Sequence, residues 1–360
     1  MIGWYVHHHG HGHLARLQAV AAHLRTPVAG LSSLPAPAGW EGPWLRLERD
    51  DAAVAADADL TALDVTCNGV LHWAPLHDDG LADRTAQVAS WLATARPSLV
   101  VVDVSVEVSV LTRLAGVPVV VVAMPGQRRD RAHRLAYDLA DALLAPWPAG
   151  THDAGWPEHW RRKLWAVGGI TRLDASAAHR DGVAPAPDGM RARDADGPRR
   201  VLVLWGAGGT DVGAPQLDAA RAVTPGWTWV ERSPLNPSPD LAADLAEADV
   251  VVTHAGQNAV ADVAALRRPA VVVAQQRPFG EQVATAEAVE RLHAAVGLSA
   301  WPGDATRWPA ILRRALELGG HGWSGWSAGG GAAEAAARLD ALATRAAPPG
   351  RTPVGAGRGR

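Results

Sequence analysis

The chain has 360 residues, 48% hydrophobic and 20% charged, with a net charge of −3, which suits two globular domains and excludes a disordered chain. The slight acidity offers no basic stripe for nucleic acid. Cys67 is the only cysteine, which excludes a disulfide framework or a cysteine zinc site and fits a reducing cytoplasm.

Residues 2–6 read as a strand that runs straight into a His/Gly loop. No basic n-region precedes an apolar h-region there, so the segment does not read as a signal peptide. Residues 14–24 carry apolar side chains at helical spacing (Leu14, Leu17, Val20, Ala21, Leu24). A strand is expected over 27–31, a helix over 83–95, a buried strand over 99–102, a helix over 106–115 and a valine-rich strand over 117–123. This βαβ rhythm implies a parallel sheet with crossover helices. Residues 174–199 are rich in Ala, Asp, Arg, Pro and Gly, without an apolar period, and read as a linker. The rhythm restarts with strands at 201–204, 227–230 and 249–253, a helix at 258–266, a strand at 270–274 and helices at 281–293 and 332–344. The expected organisation is therefore domain 1–173, linker 174–199, domain 200–344 and a disordered Pro/Gly/Arg-rich tail 345–360. No stretch approaches the ~18 apolar residues of a membrane span.

The strand ending at Thr253 leads into His254-Ala255-Gly256-Gln257-Asn258 and then a helix. Such a strand–turn–helix junction is where open α/β sheets take ligands, and a helix N-terminus offers unpaired N–H groups to a diphosphate. Gly256 lets backbone come close, His254 and Asn258 can add donors, and Asp262 can accept from ribose hydroxyls. The alternative is a capped turn with a solvated Asp262. Trp205-Gly206-Ala207-Gly208-Gly209-Thr210 is a second glycine loop after a strand, open to a ligand or to a plain strand–helix turn.

His254-x-Gly256-x-Asn258-x-x-x-Asp262, with Pro269 and then Glu281-Gln282, resembles the donor-binding segment of GT-B glycosyltransferases. It is similar to the His-Cys-Gly-Trp-Asn-Ser box of plant secondary-metabolite enzymes and to the peptidoglycan N-acetylglucosaminyltransferase family. The resemblance implies two Rossmann-like domains facing a cleft, acceptor on the first and nucleotide sugar on the second. It implies that His254, Gly256, Gln257 and Asn258 hold the diphosphate, Asp262 the ribose, and Glu281 and Gln282 the sugar hydroxyls. Gly206, Gly208 and Gly209 match a similar loop at the start of the family's second domain. Asp262 and Glu281 replace the usual Glu and Asp, which leaves the sugar unidentified.

On the acceptor side, His7-His8-His9-Gly10-His11-Gly12-His13 admits three readings: a metal site, a tag, or the Gly-His loop that opens the first helix of GT-B enzymes. In the last, His13 is the general base, because imidazole titrates near neutrality. Asp103, at the end of a strand, is the candidate to orient it, with a helix N-cap as the other role and Glu107 as a weaker substitute. No metal and no cofactor beyond the nucleotide sugar are expected. UDP is favoured over dTDP as the nucleotide. Residues 66–81 and 126–134 are expected near the acceptor. Arg128, Arg129, Arg131 and Arg134 leave a peripheral membrane contact open, against an ordinary solvated helix face. The expected activity is inverting, metal-independent transfer to an unidentified hydroxyl. The rivals are a UDP-sugar 2-epimerase of the same fold, a non-catalytic nucleotide-sugar-binding protein and, more remotely, a metal-binding protein.

Overall fold

The computed structural model describes residues 1–9, 11–51, 63–171, 173, 198–206 and 209–346. The first half forms β1 (Ile2–Val6), α1 (His11–Ala21), β2 (Val28–Ser32), β3 (Trp44–Arg46), α2 (Asp79–Ala95), β4 (Leu99–Asp103), α3 (Val106–Leu114), β5 (Val119–Val122), α4 (Arg131–Leu139), β6 (Ala142–Ala145), α5 (Glu158–Arg162) and β7 (Leu164–Ala166). The second forms β8 (Arg199–Leu204), α6 (Ala214–Ala222), β9 (Trp227–Arg232), α7 (Leu241–Glu247), β10 (Val250–His254), α8 (Gln257–Ala265), β11 (Ala270–Val273), α9 (Glu281–Arg291), β12 (Val296–Leu298), α10 (Trp308–Leu318) and α11 (Gly331–Arg345).

The strands build two sheets, ordered β3-β2-β1-β4-β5-β6-β7 and β12-β11-β10-β8-β9. Every pairing is parallel. Helices cover parallel sheets on both faces, so their central strands are apolar throughout. Val119–Val122 and Ala270–Val273 are buried at every residue. The order reverses between β1 and β4 in one sheet and between β8 and β10 in the other. These are the crevices where doubly wound sheets take ligands. Val6 pairs with Asp103 at the first reversal, and Leu204 with Thr253 at the second.

Helix α11, expected in the second domain, packs on the first. Ala332, Ala335, Ala336, Leu339 and Ala343 lie in one core cluster with Trp4, Leu17 and Val20. The backbone N–H groups of Arg25 and Thr26, beyond α1, donate to Asp340 at 3.1 and 2.9 Å. An alanine face lets two helices approach closely, and local periodicity does not reveal which neighbour it will meet. The linker expected at 174–199 lies outside the described residues except for its last two, and Arg199 already opens β8. The tail expected from 345 is outside them from 347 onward, while Arg345 ends α11.

Candidate active site

At the first reversal, β1 hands the chain to a loop that enters α1 at His11, three residues before the expected start. This puts His13 in the first turn of α1, beside the end of β4. His13 Nδ1 lies 2.9 Å from Asp103 Oδ1. Asp103 is fully buried, and Arg16, one turn along α1, donates from Nη1 to its two oxygens at 2.8 and 2.6 Å. Burial raises the Asp103 carboxyl, but the charges of Arg16 and His13 and their hydrogen bonds outweigh it and hold it at about 2. The carboxylate therefore accepts from His13 Nδ1–H, and in the base form of the ring the lone pair lies on Nε2.

Asp103 does not cap α3. Ser105 does, accepting from the Val108 N–H at 3.1 Å. Nor does Glu107 reach His13. Its Oε1 accepts from the His72 and Trp73 N–H groups at 2.9 and 3.1 Å, which fixes the loop containing them.

At the second reversal, the His254 ring sits between the two glycine loops. A Cβ on Gly256 would lie 2.3 Å from His254 Cε1, and one on Gly206 would lie 2.6 Å from His254 Nε2. These glycines make room for the imidazole. Gly256 N–H donates to His254 Nδ1 at 3.0 Å. Burial, then the Arg277 charge, lowers the His254 pKa to about 4. The ring is thus neutral near pH 7, with its remaining proton on Nε2. Helix α8 begins at Gln257, and the first N–H groups of a helix lack intrahelical acceptors. Residues 254–259 line a cleft of about 750 Å³, with Gly12, His13 and Arg16 from the first domain and Gly206, Asp262 and Glu281 from the second. Arg232 and the Pro234, Pro237 and Pro239 loop, without a recognisable signature in the sequence, line it as well.

Several candidates have protein partners that local sequence did not indicate. Asn258 Nδ2 donates to the Gly12 carbonyl at 3.1 Å, across the domains. Gln257 Oε1 accepts from Arg16 Nη2 at 2.7 Å. Buried Asp262 accepts from the Thr171 hydroxyl. Glu281 accepts from Arg128 Nη2 at 2.6 Å. Gln282 is buried, its Oε1 accepts from the Gln275 N–H at 3.1 Å, and it is absent from the cleft wall. Gly209 takes φ +80, a conformation that favours glycine. Gly208 lies outside the described residues.

A second pocket of about 370 Å³ meets the cleft at His13, Met124 and Glu281. Val104, Val121, Tyr137 and Phe279 give it apolar walls, and His72 and His133 come from the two segments expected on the acceptor side. Arg128 is buried here, 4.5 Å below the Phe279 ring. Arg129 pairs with Asp153 at 2.9 Å, and Arg131 donates to the Asn68 carbonyl at 3.1 Å. Of the four arginines considered for a lipid surface, these three contact protein.

Among the described residues, two groups bring three metal-type ligand atoms together, His8/His9/Asp51 and His72/Asp130/His133. In the first, Asp51 is already gripped by Arg49 Nε and Nη2, both at 2.8 Å. In the second, Arg128 Nη1 lies 3.4 Å from His133 Nε2. Neither group lines the donor cleft.

Residues 233–301 match the Glycosyltransferase family 28 C-terminal domain. No curated protein matches the chain. Among solved structures, the calicheamicin glycosyltransferase CalG4 is similar with a TM-score of 0.59 at 17% identity, over 96% of this chain and 99% of that one. MurG of Acinetobacter baumannii gives a TM-score of 0.59 at 16% identity, over 96% and 99%. The spinosyn rhamnosyltransferase SpnG complexed with thymidine diphosphate gives 0.57 at 17%, over 96% of each chain. SpnG has also been solved with spinosyn aglycone. The matched domain and the fold define the class of protein: a glycosyltransferase of the GT-B fold. No helix among the described residues is long and apolar enough to cross a membrane.

Proposed function

We propose that the protein moves a sugar from a nucleoside diphosphate to an acceptor hydroxyl in a single inverting displacement that needs no metal. The observation that carries this reading is His13, supported by buried Asp103, on the wall shared by the α8 cleft and the second pocket. In the step, His13 Nε2 takes the acceptor proton as the acceptor oxygen attacks the anomeric carbon. The bond from that carbon to the diphosphate breaks, and its electron pair leaves with the phosphate oxygen. The first turn of α8 and the His254 Nε2–H meet that charge. Asp262 receives the ribose and Glu281 the sugar hydroxyls. SpnG in complex with thymidine diphosphate makes dTDP a donor nucleotide to test beside UDP. Its complex with an aglycone supports a small-molecule acceptor in the second pocket. We place the reaction in the cytoplasm.

The test is a mass-spectrometric screen of UDP- and dTDP-sugars, each with and without an acceptor panel. The proposal expects product mass gain only when donor and acceptor are both present. Interconversion of donor sugars without acceptor would identify an epimerase instead. Binding with neither transfer nor donor hydrolysis would identify a binding protein.

A further inference from the structure

Arg16 is buried and makes two kinds of contact that no local pattern in the sequence requires. Its Nη1 reaches both oxygens of Asp103, and its Nη2 donates to Gln257 Oε1 at 2.7 Å. One guanidinium thus joins the carboxylate behind His13 to the first residue of α8. A rigid planar fork can fix a carboxylate and serve another acceptor together, which a single ammonium does less well. Gln257 lines the donor cleft, and its amide Nε2 is buried without a partner among the described residues. A buried amide donor left unsatisfied costs stability. An oxygen of a bound donor would remove that cost and hold the amide with Oε1 toward Arg16.

We propose that Arg16 is a positioning residue: it fixes Asp103 for His13 and, through Gln257, links that orientation to occupancy of the donor site. This rests on the transfer reading above, so one readout is independent of turnover. In proton NMR of the whole protein, the His13 Nδ1–H bonded to Asp103 should give a downfield resonance. Asp103→Asn identifies it by its loss. Arg16→Met should broaden or abolish it, and Arg16→Lys should keep it. Adding UDP or dTDP should shift it in the wild type and leave it unmoved in Gln257→Leu, where the Asp103–Arg16 contact remains.

With an active donor–acceptor pair, Arg16→Met should lower kcat about 100-fold, with nucleotide Kd changed less than about threefold. Arg16→Lys should recover about tenfold of that loss. A resonance and kcat unchanged in Arg16→Met would overturn the proposal. So would loss of the fold in both Arg16 variants with Gln257→Leu still responding to nucleotide, since Arg16 would then be structural. If no transfer occurs in the wild type, the transfer reading fails while the NMR comparison still decides the role of Arg16.

Discussion

Asp103 Oδ1 lies 2.9 Å from His13 Nδ1, although the two residues are 90 positions apart. The carboxylate holds the ring by one nitrogen and leaves the other for a proton. His13→Ala should therefore lower transfer by about 10²–10⁴, the usual contribution of a positioned base, with nucleotide affinity unchanged. Asp103→Asn should act in the same direction by allowing the wrong tautomer. Turnover near wild type in His13→Ala would remove His13 from the chemistry.

The His254 ring fills space that only glycine leaves open. Gly256→Ala and Gly206→Ala should each displace it and weaken UDP or dTDP binding about tenfold or more, at a stability cost of about 1–3 kcal/mol. Gly226 has nothing within 4 Å of an added Cβ, so Gly226→Ala serves as the control. Calorimetric titration gives the affinities; wild-type values in both loop variants would place the nucleotide elsewhere.

Arg128 and Glu281 form a wall between cleft and pocket. If Glu281 holds the donor sugar, Glu281→Gln and Arg128→Ala should weaken nucleotide-sugar binding about tenfold, the effect of one charge-assisted hydrogen bond. Free nucleotide should bind as before. Equal losses for both ligands would assign the pair to domain closure alone.

Acid should destabilise the protein well before its buried carboxylates titrate. Burial, with the Arg277 charge, holds His254 at about 4, and burial, with Arg128 and His72, holds His133 at about 4. Unfolding returns each to the ordinary imidazole value of 6.5, so the unfolded chain binds the extra protons between those values. The stability these histidines contribute is full above pH 6.5 and falls as pH drops toward 4. For His254 alone the loss at about pH 5 is roughly 2 kcal/mol. Asp103, held at about 2, loses its contribution only at lower pH. Denaturant midpoints at about pH 7.5 and about pH 5 should differ in the wild type, and less in His254→Gln. Equal wild-type midpoints at the two pH values would contradict this.

The central strands and the donor box could be read from the chain because their signals are local. Val119–Val122 and Ala270–Val273 show as apolar runs, and the His254 turn shows as a strand giving way to a helix. The three-residue strands at Trp44, Leu164 and Val296 are too short to hold a period and leave no such signal. Arg16 and Thr171 could not be found either. Their partners Asp103, Gln257 and Asp262 lie 87, 241 and 91 residues away.

By itself, then, the sequence determined the α/β class and the second-domain box, since each depends on side-chain order within a few residues, and it offered Asp103 as one candidate partner for the Gly-His loop; the contact between them, 90 positions apart, was decided by the sheet. Tertiary structure decided that the closing helix belongs against α1. It also decided that Asn258, Gln257 and Glu281 reach across the domains, and that Gln282 turns inward from the cleft. Those contacts depend on how two sheets face each other, and that geometry follows from packing over the whole chain.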